Sequence, residues 1–420
     1  MVLLLGLSKK AITKVQTAVI VIIVVIAIIA GIAYYYTTLP SPAPARPIKI
    51  GLILPLTGAS ARLGKEVLDG ALLAVEEINA GGGILGRQVE LVIEDDEGNP
   101  DKCLSAAKKL IEMDQVDLLT GVLHSGNVVA ISEYVASVGI PYISPISSGP
   151  TLVYTQNPQK FRNFFTIHPY YDDCGKAGLK FLTDVVKAKT YVCIAESLTW
   201  STRSAGFLKL FAADAKITCL EEIIVPAGCK DFSEAIMRVR ELNPDAVVGF
   251  VFTGAEATLV RQLYENKLPI PYCGVMSMHA MWDMPAGLGA ASDYLVFTTW
   301  SWNVSITEKT VPFFNKFYEK YGYRACGLEG PAGYDLMYFV ATAVEKAGTL
   351  DWESVIKAFE ETEIVGVRGK TKIDPADHGA IYWAPGYINA IIGQWIGGKP
   401  YIIWPPELAE RSLTKAPWWR

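Results

Sequence analysis

Charge is thin and evenly mixed in this 420-residue chain, at 19% Asp, Glu, Lys and Arg. Thirty-eight basic residues face 43 acidic ones, the net charge is −5, and no basic run interrupts the scatter. A nucleic-acid partner calls for a basic patch and is excluded on that ground. Histidine is scarcer still: His124, His168, His279 and His378 are the only four, and none is paired at metal-ligand spacing. The seven cysteines form no CxxC, so metal ligation has little support. Their odd number leaves at least one thiol over, whatever disulfides an extracellular setting allows. No GxGxxG or GxxxxGK[ST] follows an apolar run, and the Gly-rich Asn79–Gly86 follows a helix, where it reads as a stop and turn. A phosphate loop has to open a helix to use its amides, so neither nucleotide binding nor a cofactor is expected.

What the chain does have is one long apolar run. Thr17–Tyr36 is 20 residues without a charge, about the length a helix needs to cross a hydrocarbon core of ~30 Å. Lys9, Lys10 and Lys14 precede it, and Tyr34, Tyr35 and Tyr36 stand where an interfacial aromatic belt lies. Residues 1–36 are therefore expected to be a membrane anchor or signal segment, an uncleaved single-pass anchor being favoured. Positive charge stays on the cytoplasmic side, which puts everything beyond Thr37 outside the cell. Residues 37–47, TTLPSPAPARP, read as a Pro-rich tether.

From Ile48 onward, strands alternate with helices. IKIGLILPL is a continuous apolar strand, and Val67, Leu68, Ala71, Leu72, Val75 and Ile78 then recur at helical spacing before Gly81. VELVIED, VDLLTGVL and IPYISPISS follow as strands with helices between them. The same grammar restarts at Asp172, through TYVCIAES, ITCLEEIIVP, DAVVGFVFT, PYCGVM and YLVFTTWSW. Strands that are apolar throughout indicate parallel sheets covered on both faces, here an α/β fold of two lobes. Open α/β sheets bind ligands outside the carboxyl ends of their strands, so the positions just after strands carry the information.

One such position is Gly121–Asn127, GVLHSGN. A hydrolase nucleophile at a strand-to-helix elbow needs G-x-S-x-G, which Leu-His-Ser-Gly-Asn does not match. His124, the immediate neighbour of Ser125, seldom reaches base-to-nucleophile geometry from there. The chain is not expected to be an enzyme. Ser125 either caps the helix that follows or, with that helix's free amides, forms a shelf for an anion. Ser147 and Ser148, after the next strand, favour the shelf if the two strands are neighbours.

Six segments, IKIGLILPLTG, LDGALLAVEEINAGGGILGRQVELVIEDDEGNP, GVLHSGN, GIPYISPISSGP, KDFSEAIMRVRELNPDAVV and GYDLMYFVATAVEKAG, occur in that order between Ile48 and about Pro406. They resemble the extracellular solute-binding proteins of branched-chain-amino-acid-type ABC importers. The resemblance implies the type I periplasmic-binding fold, two Rossmann-like lobes joined by three crossovers that close on a ligand. Lobe 1 is expected at 48–168 plus about 300–375, and lobe 2 at 169–299 plus about 376–420. A small-molecule solute, an ABC permease and an ATPase are the implied partners of a monomeric soluble body. Position by position, Ser125 and Ser148 match the hydroxyl residues that hold a ligand carboxylate. The backbones of Leu123 and Ile146 match positions that add main-chain hydrogen bonds, with His124 and Ser147 beside them. Trp200 and Phe252 fall where the second lobe supplies aromatics, and Leu63 stands where the first lobe commonly has one.

One departure bears on the ligand. Amino-acid binders of this kind carry an acid after the strand that reads PYCGVMSMHAMW, and Met276 stands there. A buried ammonium group without a counter-charge is costly. Either Asp283, Glu256 or Glu329 replaces the acid, or the ligand has no amino group and is an organic acid or amide. Trp282, Trp300 and Trp302 are further candidates for the pocket wall, although Trp300 and Trp302 are also placed to pack a crossover. A ligand-binding sensor domain is the alternative function, an extracellular hydrolase a weaker one.

Overall fold

The computed structural model describes residues 14–38, 46–251, 254–276 and 287–420. The chain falls into two units, residues 1–46 and 47–420. The first contains helix α1, Lys14–Thr38. Successive residues of a helix point to different sides, and Val19, Ile20, Val21 and Ile22 are each about half exposed, so α1 is apolar all round. The helix expected over Thr17–Tyr36 is there, but the membrane span expected with it is not supported. Among the described residues no helix is long and apolar enough to cross a membrane, and side chains are described without a break only over 17–32.

The second unit holds two sheets. β1 (Ile48–Leu54), β2 (Val89–Asp95), β3 (Leu118–Gly121), β4 (Tyr142–Ser144) and β5 (Phe164–Thr166) form a parallel sheet in the order β2-β1-β3-β4-β5. Its connections are α2 (Ala61–Ala80), α3 (Pro100–Lys108), α4 (Ser125–Val138) and α5 (Gly149–Gln156). The other sheet is built from β6 (Thr190–Glu196), β7 (Thr218–Val225), β8 (Ala246–Phe250), β9 (Tyr272–Gly274) and β10 (Val296–Thr299), all parallel. Helices α6 (Tyr171–Lys180), α7 (Thr199–Asp214), α8 (Ser233–Leu242) and α9 (Ala255–Glu265) accompany it. Inner strands such as β3 and β8 are buried at every residue, as both-face coverage requires.

The chain then returns to the first sheet through α10 (Thr310–Tyr321), α11 (Glu329–Ala347) and α12 (Trp352–Glu361). A Cβ on Gly70 of α2 would stand 2.0 Å from the Gly330 carbonyl oxygen, so glycine is what lets α2 and α11 cross in contact. A short hairpin, β11 (Glu363–Val365) and β12 (Lys370–Lys372), precedes the last crossing. β13 (Ile391–Ile396) and β14 (Lys399–Trp404) complete the second sheet, in the order β14-β13-β10-β9-β8-β6-β7. Both are antiparallel, and Gly397 and Gly398, each at positive φ, make the two-residue turn between them.

Three stretches therefore link the sheets: 167–170, 300–309 and 373–390. Trp300 and Trp302 belong to the second and are buried in the core. Trp300 packs edge-on against Tyr382 and Trp383, and Trp302 tilts onto Phe297, so their work is packing at the crossover. All seven cysteines are free thiols.

Candidate functional site

The strand ends of both sheets meet at one cavity of about 290 Å³. The wall from the first sheet is shaped by Gly121, whose φ is +99° and whose missing Cβ would lie 2.1 Å from the Ile53 carbonyl oxygen of β1. Only glycine fits there. Val122 follows at φ +60°, a costly conformation for a β-branched residue, and the chain turns sharply into α4. The turn brings Leu123, His124, Ser125, Gly126 and Asn127 to the cavity wall. The amides of Asn127 and Val128 are satisfied by the His124 carbonyl. Those of Ser125 and Gly126 are first-turn donors with no intrahelical acceptor, at the positive end of the helix dipole.

The neighbouring strand β4 supplies Ile146, Ser147 and Ser148 to the same wall. Ser147 Oγ lies 3.4 Å from Ser125 Oγ and also accepts the Gly149 amide at 3.2 Å. Ser148 lines the cavity too, but its hydroxyl donates to the Pro169 carbonyl at 2.8 Å. Its single proton is directed at the first crossover, so of the three serines Ser125 and Ser147 form the hydroxyl pair. The Ile146 amide is held by Ser144 Oγ at 3.3 Å.

The second sheet contributes Leu198, Thr199 and Trp200 at the start of α7, and Met276 after β9. Trp200 is braced edge-on by Phe250. Met276 has φ +49°; its amide donates to Thr298 Oγ1 at 3.0 Å and its sulfur receives the Cys174 thiol at 3.1 Å. Eight of the nine residues singled out from sequence thus line one cavity. The ninth, Phe252, lies outside the described residues, as do Trp282, His279 and Asp283. Leu63 is buried in the core rather than at the cavity wall.

Sequence reasoning missed Gly98, Pro100 and His168, which complete the lining. Gly98 and Pro100 are brought in by Asp96, a buried carboxylate that accepts the Gly98 amide and the Asn127 side chain, each at 2.9 Å. Asp96 ties the loop after β2 to the first turn of α4, and an acid two residues before a glycine is the available sequence signal. His168 sits on the first crossover, which strand patterning does not mark.

No Asp, Glu, Lys or Arg lines the cavity among the described residues. Burial lowers the His124 pKa, against the opposing field of Asp96, and lowers that of His168 to about 3. Both imidazoles are therefore neutral at physiological pH. Glu256, at the start of α9, is buried outside the lining, and so is Glu329. Glu329 accepts the Cys326 thiol, while Cys326 N–H donates to Glu66 at 2.5 Å. The cavity offers neutral hydroxyls and amides at one end and Trp200, Leu198 and Met276 at the other. It can hold an anion by hydrogen bonds and bury an apolar body.

A profile of the periplasmic binding protein family matches residues 47–387. The chain belongs to that family. The Leu/Ile/Val-binding protein BraC3 of Rhizobium johnstonii is 30% identical over 218 residues, 52% of this chain and 58% of the relative. The alignment thus spans little more than half of that relative's length. Among solved structures, the leucine binding protein LivK from Thermotoga maritima aligns with a TM-score of 0.75 at 23% identity, over 84% of this chain and 97% of that one. A solute binding protein of an ABC transporter from R. palustris, in complex with benzoate, aligns with a TM-score of 0.73 at 22% identity, over 85% and 95%. These similarities show the type I periplasmic-binding fold, and the family is one of binding proteins rather than enzymes.

Proposed function

We propose that this periplasmic binding protein is the solute receptor of an ABC importer and captures a small carboxylate with an apolar body. The carboxylate lies on the amides of Ser125 and Gly126 and the hydroxyls of Ser125 and Ser147. Leu123, His124, Ile146, Ser148, Trp200 and Met276 enclose the rest, with Phe252 as a further aromatic from the second lobe. One observation carries the reading: a cavity with a neutral donor cluster at a helix N-terminus and no charged side chain among its described lining. An ammonium group would enter it without a counter-charge, so a carboxylic acid lacking the amino group is the favoured solute. The solved relatives span both kinds, one named for leucine and one in complex with benzoate.

The lobes are 48–168 with about 300–375 and 169–299 with about 376–420, and they close on the solute about the three crossovers. A permease and its ATPase are the partners that this reading implies. A thermal-shift panel on the full chain in detergent tests the ligand class, since a solute that binds only the native state raises Tm. Benzoate and 4-methylpentanoate are expected to raise it, and leucine to raise it less. The largest shift from leucine would mean that an acid outside the described residues supplies the missing charge.

A further inference from the structure

His168 differs from every other polar group on the cavity wall in having its tautomer fixed by the backbone. Its Nδ1 lies 2.7 Å from the Pro169 carbonyl oxygen, the same oxygen that accepts the Ser148 hydroxyl. A carbonyl oxygen can only accept, so Nδ1 carries the ring proton. The His168 amide is held by Thr166 Oγ1 at 2.9 Å, which fixes the residue at its root. Burial, aided by the Arg368 guanidinium, keeps the ring from taking a second proton. Nε2 is then a lone-pair acceptor, with no hydrogen-bond partner among the described residues, on a ring that lines the cavity. His124 is not equivalent: its Nε2 meets the Ser60 hydroxyl at 3.2 Å, which can donate or accept, so its tautomer stays open.

Position adds a second constraint. Ser125 follows β3, Ser147 follows β4 and His168 follows β5, three adjacent strands of one sheet. Neighbouring strands are spaced by ~4.8 Å, which puts His168 one spacing from Ser147 and two, roughly 10 Å, from Ser125 at the backbone. An acceptor placed there meets the far side of a solute whose carboxylate sits at Ser125, not its α-carbon.

Resting on the carboxylate-receptor reading, we propose that His168 Nε2 receives a hydroxyl or amide N–H carried across the solute's body from the carboxylate. His168 is thereby the specificity-determining residue that prefers donor-bearing acids over plain ones. A solute without the donor leaves a buried acceptor unpaired, which lowers affinity by about 10- to 100-fold.

The test uses the full chain and the pair 4-hydroxybenzoate and benzoate in calorimetric titrations. Wild type is expected to prefer the hydroxy acid by about 10- to 100-fold. His168→Phe is expected to remove that preference, and His168→Gln, which restores an acceptor, to recover part of it. Equal affinities in wild type, or a preference that survives in His168→Phe, would overturn the proposal. If wild type binds neither acid, the carboxylate reading fails and takes this one with it. A ligand-free measurement decides the donor question even if the Phe variant does not fold. Nitrogen-15 NMR of histidine-labelled protein should show His168 protonated at Nδ1 and bare at Nε2, and a proton on Nε2 would refute the acceptor role.

Discussion

Ser125 Oγ and Ser147 Oγ, 22 residues apart in sequence, lie 3.4 Å apart at the ends of adjacent parallel strands. Their closeness sets a second hydroxyl beside the helix start, where the amides of Ser125 and Gly126 have no intrahelical acceptor. Ser125→Ala is expected to weaken the best carboxylate by about tenfold or more, as loss of a hydrogen bond to a charged group implies. Fluorescence titration of Trp200 against the ligand checks it, and unchanged affinity would remove Ser125 from the shelf.

Ser148 should behave differently. Its hydroxyl satisfies the Pro169 carbonyl, so Ser148→Ala is expected to cost about 1 kcal/mol of stability and to change affinity less than Ser125→Ala. Urea unfolding beside a ligand titration separates the two effects.

Gly121→Ala puts a Cβ 2.1 Å from the Ile53 carbonyl oxygen at a φ of +99°. Steric overlap and backbone strain add, so a loss of at least ~2 kcal/mol is expected, seen as a fall in Tm. A variant as stable as wild type would mean that β1 and β3 can separate there.

The histidines give stability a pH dependence of known sign. Burial lowers the His168 pKa to about 3 and the His378 pKa to about 4, below the value near 6.5 of an exposed ring. Between those values the unfolded chain binds more protons than the native one, so stability is full above pH ~6.5 and falls as pH drops toward 4. His378 is stacked between Tyr154 and Phe165 at 3.7 and 4.1 Å. His378→Phe keeps the stacking and is expected to flatten part of the slope in urea melts between pH 7 and pH 5.

Glu66 acts in the opposite sense. Burial first, and the neighbouring Glu329 second, raise its pKa to about 8 from an ordinary 4.5. The native state then holds a proton that the unfolded chain releases, so this group's contribution falls as pH rises from 4.5 to 8. Glu66→Gln is expected to raise Tm more at pH 9 than at pH 5.

Much of the fold was legible in the sequence because its strands are buried on both faces and read as unbroken apolar runs. IKIGLILPL and DAVVGFVFT needed no long-range information. The antiparallel pair β13–β14 was missed although AIIGQWIGGKPYIIW contains its Gly397-Gly398 turn, since the α/β rhythm draws attention away from hairpins. At the site, Ser125 and Ser147 were singled out because they follow strands, and Met276 because it stands where the family that the chain resembles carries an acid. Asp96 and His168 were not, because their positions depend on hydrogen bonds to Asn127 and to Pro169 that no periodicity encodes. The choice of Ser147 over Ser148 as partner of Ser125 turns on which way one hydroxyl points, a matter of tertiary contact.

The most direct measurement is a paired calorimetric titration of the full chain with 4-methylpentanoate and leucine, which differ only in the α-ammonium group. The cavity described here, with donors for a carboxylate and no acid among its described lining, predicts tighter binding of 4-methylpentanoate, and benzoate binding alongside it. Tighter binding of leucine, by tenfold or more (about 1.4 kcal/mol), would contradict it.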